Sequence, residues 1–186
     1  RSFRVLLMYT EESLNSSERN FISEYLEALA VEYDWKLFEL DHGFERSFVH
    51  VSKIAIARMY AADTIEKPFV YSDVDVIFLP GWDSILFYSK FKEEIVAKVV
   101  KYPNQKWIKQ KMVQSKSNFA ILSAGFNYFN SGLAVFNPSA WLNYKLDESW
   151  KAVYKEEYEN LGFEYLDQDI LNYLLLDKVE YLSDSY

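Results

Sequence analysis

Two aspartates one residue apart, Asp73 and Asp75, follow the apolar run Phe69-Val70-Tyr71. At the end of a buried strand, side chains two apart share a face, so both carboxylates can address one ion. Without a counter-charge, neighbouring carboxylates repel and one pKa rises. A hard divalent cation, Mn²⁺ or Mg²⁺, relieves that repulsion, and phosphate oxygens can complete its shell. The chemistry suggested is metal-assisted handling of a phosphate-bearing molecule.

Arg58 is the second informative residue. Val51, Ile54, Arg58, Ala61 and Ile65 recur at three-to-four spacing, which sets a guanidinium in an apolar helix stripe facing the sheet. There it needs an anionic partner. Two readings stand: a structural pair with Asp73 or an outward-snorkelling side chain, or a contact to a bound diphosphate or sugar. Asn130-Ser131-Gly132 supplies an amide, a hydroxyl and a residue with no side chain, suited to close approach by a sugar hydroxyl and equally to a turn. Asp167-Gln168-Asp169 opens a helix, where one acid suffices as a cap. Two acids and an amide exceed that need and point toward binding. Both histidines, His42 and His50, precede Asp73, and there is no Gly-rich phosphate loop or nucleophile elbow.

The elements that must position these residues follow from periodicity. Arg4 to Thr10 reads as a buried first strand, with a loop from Thr10 to Ser13. Phe21, Ile22, Tyr25, Leu26, Leu29 and Tyr33 form a helical stripe with Ser and Asn available as caps. Trp35 to Leu40 alternates like a second strand, 51–65 is helical, and Phe69-Val70-Tyr71 is a third strand. That order predicts a parallel α/β sheet whose ligands sit outside the strands' carboxyl ends. Phe91 to about Lys101 reads as helical, inside a stretch from Lys90 to Lys116 with eight lysines. This stretch is either a solvated face or an acceptor-docking or partner surface. Phe126 to Phe136 reads as a loop and then a strand broken by Asn130-Ser131-Gly132.

Composition narrows the function classes. At 186 residues, 50% hydrophobic and 18% aromatic, the chain is expected to fold as one domain. A net charge of -8 argues against a nucleic-acid partner. The absence of cysteine removes disulfides, thiolate chemistry and Cys-ligated zinc. No apolar run is long enough to span a membrane. The cytoplasm is the favoured compartment and a secretory lumen the alternative; the triplet Asn15-Ser16-Ser17 is too common by chance to decide. The first residue is Arg, so the segment is expected to come from a longer protein.

Taken in order, Lys53 to Tyr60 with its central Arg58, Tyr71-Ser72-Asp73-Val74-Asp75, Phe129-Asn130-Ser131-Gly132 and Asp167-Gln168-Asp169-Ile170-Leu171-Asn172 resemble the retaining family 8 glycosyltransferases. The resemblance runs over roughly residues 4 to 185. It implies a single GT-A domain, α/β and Rossmann-like, with a mixed, mostly parallel sheet and helices on both faces. It also implies a nucleotide-sugar donor, most often a UDP-sugar, and a glycan or protein hydroxyl acceptor. Mn²⁺ would be held by Asp73 and Asp75, bridging the diphosphate, with Asp73 also near the ribose. Tyr9 and Thr10 would hold the base. Lys53 and Arg58 would lie on the donor side, and Asn130, Ser131, Gly132, Asp167, Gln168 and Asp169 around the sugar. Gln168 would lie near the reacting anomeric face.

The family usually adds a third metal ligand, a His, after Asp-Gln-Asp; none follows Asp169 here, and a C-terminal lid is expected outside this segment. A haloacid-dehalogenase-like phosphotransferase is a distant alternative, since its Asp-x-Asp usually lies on a first strand. A sugar-nucleotide-binding or scaffolding domain without turnover is the non-catalytic alternative.

Overall fold

The computed structural model describes residues 4–10, 13–39, 53–78, 90–114, 127–157, 163 and 165–182. Val51, His42, His50, Lys116 and Phe126 lie outside the described residues. The chain divides into two compact units, residues 1–57 and 58–186.

In the first unit, β1 (Arg4–Tyr9) and β2 (Glu32–Leu37) pair in parallel, Arg4 opposite Glu32 and Tyr9 opposite Leu37. Helix α1 (Ser16–Ala28) connects them. Its start is a capping box: the Asn15 side chain accepts from the Glu18 N–H at 3.0 Å, and Glu18 accepts from the Asn15 N–H at 2.8 Å. The Asn15-Ser16-Ser17 triplet is therefore a helix start. The helical stripe expected to be core is only partly so. Ile22 and Leu26 are half-buried, whereas Phe21 and Tyr25 are 71% and 61% exposed, Leu29 is also exposed, and Tyr33 belongs to β2. β1 is likewise not buried throughout, with Arg4 and Leu6 exposed, because a two-stranded ribbon covers its residues incompletely. A 3₁₀ turn, Lys53–Ile56, leads into α2 (Ala57–Thr64).

The second unit is built on a four-stranded mixed sheet of order β3-β5-β4-β6. Its strands are β3 (Phe69–Ser72), β4 (Ala97–Lys101), β5 (Phe129–Phe136) and β6 (Val179–Tyr181). β5 is antiparallel to both β3 and β4, and β4 is parallel to β6. The helix expected over 91–101 is instead the approach to β4 and β4 itself. Val96, Ala97 and Val99 are buried, and Lys98 is buried with them, its ammonium 3.5 Å from Glu180 and over the Phe91 ring. β-Branched residues held between two neighbouring strands override the helical spacing.

Around the sheet stand α3 (Gln105–Gln114), α4 (Pro138–Asn143), α5 (Leu146–Ala152) continuing into a π turn (Val153–Glu157), and α6 (Leu166–Leu174). The fully buried Trp141 of α4 and Trp150 of α5 both donate their indole N–H to the carboxylate of Asp63 on α2, at 2.8 Å and 3.2 Å, and Lys151 pairs with it at 2.9 Å. A nearly buried carboxylate is thereby satisfied and three helices are tied together. Among the described residues no helix is long and apolar enough to cross a membrane.

Candidate active site

The site begins with a slip in a ladder. Val99 of β4 is opposite Ala134 of β5, yet the next residue, Val100, is opposite Asn130. Ser131, Gly132 and Leu133 therefore bulge out of the β4–β5 pairing, within a strand that otherwise runs unbroken. The break expected at Asn130-Ser131-Gly132 is this bulge. It frees backbone groups for other partners: the Ser131 N–H donates to Gln168 Oε1 at 3.1 Å, and the Ser131 carbonyl accepts from Arg58 Nη1 at 2.5 Å. On the other side, the Asp73 N–H donates to the Gly132 carbonyl at 2.7 Å, one step beyond the end of β3.

Arg58 is the hub beneath this bulge. It is 4% exposed, its Nη2 lies 3.0 Å from Asp73 Oδ1, its Nε lies 3.0 Å from Asp167 Oδ2, and its guanidinium sits 4.4 Å from the centre of the Tyr71 ring. The structural pair with Asp73 is therefore present, and Asp167 is a second partner. Tyr71 donates its hydroxyl to the same Asp73 oxygen at 2.7 Å. Burial pushes the Tyr71 phenol up; Arg58 opposes the shift, and Asp73 adds to it by charge and hydrogen bond. Asp167 is also raised above its ordinary value, by burial first, with Arg58 and the Ser131 hydroxyl, 3.1 Å away, pulling it back.

Helix α6 supplies the opposite wall. Gln168 accepts from the Ser131 N–H and donates through Nε2 to the Tyr128 hydroxyl at 3.2 Å. Asp169 is turned inward: Oδ1 accepts from the Tyr128 hydroxyl at 2.5 Å and Oδ2 from the Tyr165 N–H at 2.6 Å, just before the helix begins. Asn172 pins the helix to β5, its Oδ1 accepting from the Phe129 N–H at 2.9 Å and its Nδ2 donating to the Phe129 carbonyl at 3.0 Å. Tyr128 and Asn172 were not among the expected site residues. Tyr128 lies two residues before Asn130 and Asn172 one helical turn after Gln168, spacings that place both beside residues that were expected.

Asp75 is not on a strand with Asp73. β3 ends at Ser72, and Val74 and Asp75 form a turn in which the Val76 N–H reaches the Asp73 carbonyl at 3.3 Å. The regular β3–β5 ladder ends at Ser72 opposite Leu133, with the Asp73 N–H to Gly132 carbonyl bond as its last step, so the shared-face argument from alternation does not apply. The two carboxylates still leave ligand oxygens uncommitted. Asp73 Oδ2 accepts no hydrogen bond within the described residues, and Asp75 is exposed without a hydrogen bond or ion pair among them.

Gly132 makes the room. A Cβ there would lie 2.8 Å from Asp73 Oδ2 and 2.9 Å from Asn130 Oδ1, which itself accepts from the Gly132 N–H at 2.7 Å. Hard oxygen donors converging beside a glycine fit a small divalent cation. Among the described residues no group of three or more acidic, cysteine or imidazole side chains is clustered for a metal.

The structure thus brings together Arg58, Asp73, Asn130, Ser131, Gly132, Asp167, Gln168 and Asp169. Tyr9, Thr10 and Lys53 belong to the first unit. There the Tyr9 ring meets Trp35 edge-on at 5.6 Å under the Arg19 guanidinium, and Thr10 exchanges hydrogen bonds with Ser13 at 2.8 and 2.9 Å. Lys53 opens the 3₁₀ turn.

The mixed sheet with helices around it is that of the GT-A fold. Residues 5–186 match the model of glycosyl transferase family 8, and the chain belongs to that family. Over 119 residues it is 31% identical to the lipopolysaccharide 1,2-glucosyltransferase of Escherichia coli, a match covering 63% of this chain and 32% of that protein. The chain thus spans about a third of the length of this curated relative. The fold is similar to that of the galactosyltransferase LgtC solved with donor and acceptor sugar analogues: TM-score 0.73, 15% identity, 97% of this chain and 73% of LgtC. It is also similar to that of mouse xyloside xylosyltransferase 1: TM-score 0.66, 14% identity, 97% of this chain and 72% of that one.

Proposed function

We propose that this domain transfers a sugar from a nucleotide diphosphate donor, a UDP-sugar, to a hydroxyl acceptor with retention, assisted by Mn²⁺ or Mg²⁺ at Asp73 and Asp75. The observation that carries the reading is the uncommitted Asp73 Oδ2 over Gly132, beside the unpartnered Asp75. Arg58 and Tyr71 grip the other Asp73 oxygen and so fix the direction in which the free one points. A bound divalent cation supplies Lewis-acid neutralisation of the charge that grows on the leaving diphosphate. Gln168, held by Ser131 and Tyr128, keeps one Nε2 hydrogen for the sugar, and the Asn130 amide nitrogen makes no bond within the described residues. Prealigned donors of this kind lose little entropy when a hydroxyl arrives. The leaving phosphate oxygen is the acceptor for the proton of the incoming hydroxyl.

Relatives that use glucosyl, galactosyl or xylosyl groups set the donor panel. Calorimetry with UDP-glucose, UDP-galactose and UDP-xylose, each with and without Mn²⁺, should give metal-dependent binding of one donor, followed by its hydrolysis or transfer. Stabilisation by donor without either reaction would leave a binding module. No metal-dependent donor binding at all would overturn the assignment.

A further inference from the structure

Next to Tyr128 lies a second set of side chains that the donor site does not use. Tyr102, directly after β4, and Trp107 of α3 have nearly parallel rings, 13° apart with centroids 6.4 Å apart. Trp107 is 43% exposed, which is unusual for the largest apolar side chain. The pair is fixed in place. Asn104 Oδ1 accepts from the Trp107 N–H at 3.0 Å, Ile108 anchors the helix in the core at 1% exposure, and Gln105 bonds the Tyr102 carbonyl and both backbone groups of Tyr128.

This platform is continuous with the reaction site. The Tyr102 ring stands edge-on to Tyr128 at 5.8 Å, and Tyr128 holds Gln168 and Asp169 through its hydroxyl. A saccharide lying on the rings would lie near Tyr128, which holds Gln168. Flat, half-exposed aromatic faces suit the C–H faces of a pyranose, and rigid rings cost little entropy to engage.

Charge supplies the selectivity. From Ile95 through Leu146 the chain carries seven lysines and not one Asp or Glu, although the whole has a net charge of -8. Lys98 is buried against Glu180, but Lys101 and Lys106 flank Tyr102 and Trp107 in sequence and are exposed. Exposed ammonium groups on the segment that carries an aromatic platform suit phosphate or carboxylate groups on a sugar.

We propose that Tyr102, Trp107, Lys101 and Lys106 form an acceptor subsite for an anionic glycan, one bearing phosphate or carboxylate groups. This rests on the glycosyltransferase reading of the adjoining site. The test titrates the protein with a panel of neutral, phosphorylated and uronic-acid-containing trisaccharides, following the Trp107 indole N–H resonance, and separately measures donor binding with Mn²⁺.

The expected result is that anionic members move the Trp107 resonance and bind about tenfold or more tightly than their neutral counterparts, an advantage that shrinks with added salt. Trp107→Ala should abolish saccharide binding and Trp107→Phe restore most of it. Lys101→Gln with Lys106→Gln should remove the anionic preference alone. None of these variants should change donor affinity. Equal binding of neutral and anionic sugars, no saccharide binding, or unaltered binding in the variants overturns the subsite. Loss of donor binding in the unmodified protein would instead defeat the donor assignment and leave the saccharide titration to be judged by itself.

Discussion

Arg58 and Asp167 form a buried ion pair, Nε to Oδ2 at 3.0 Å, in which the arginine side chain is 4% and the aspartate side chain 8% exposed. The same guanidinium holds Asp73, so one cation links a buried carboxylate to a partly exposed one. Arg58→Met keeps the length of the side chain but strands Asp167. The expected loss is about 3–5 kcal/mol, read as a fall in melting temperature, because a buried carboxylate is left without its counter-charge. Adding Asp167→Asn should recover part of it. A stable Arg58→Met protein that fails only in donor binding would assign the arginine to the ligand instead.

Gly132 is where a single methyl should separate fold from function. Gly132→Ala places a Cβ against Asp73 Oδ2 and Asn130 Oδ1, so one carboxylate oxygen must turn away. Metal-dependent donor binding should fall steeply in calorimetry, while stability drops by about 1–3 kcal/mol, as for a modest overpacking. Intact donor affinity would show that Asp73 Oδ2 is not a ligand.

Asp75→Asn has no structural contact to break among the described residues, since the side chain is exposed and unpartnered. Its melting temperature should match that of the parent protein. Mn²⁺-dependent donor binding should disappear, and unchanged affinity would remove Asp75 from the metal site.

A pH dependence follows from Asp167. Burial raises its pKa above 3.8, so folding favours the protonated form. The stability this group contributes is complete below its unfolded pKa and is lost as pH rises through the higher native value. In Asp167→Asn that dependence is absent. The melting temperature of the parent minus that of the variant should therefore fall as pH rises from below the unfolded pKa through the higher native one, and a flat difference would contradict the upward shift.

What could be read from the sequence depended on whether local spacing was enough. Phe69-Val70-Tyr71 marked its strand, and the three-to-four spacing around Arg58 correctly implied a buried guanidinium. The four ordered blocks identified the family that residues 5–186 belong to. β4 was misread because Lys98 and Lys101 interrupt its apolar residues at helical intervals, and only pairing with β5 and β6 makes it a strand. The bulge is equally non-local, since it exists as a mismatch between two strands far apart in the chain. The inward turn of Asp169 and the pinning by Asn172 likewise depend on Tyr128 and Phe129, which no periodicity brings near α6.

The three-residue slip in β5 has a genetic consequence. Substitutions within 131–133 change chemistry at one position, and neighbouring side chains can repack around them. Deleting or inserting one residue there would instead reverse the facing of everything on one side of the change, because side chains alternate along a strand. Either Ala134 to Phe136, buried on both faces of β5, would exchange faces and lose their packing, or Asn130 would lose its place beside Gly132. Lineages of this domain should therefore vary freely in the length of their surface connections while keeping the residue count between Asn130 and Ala134 constant.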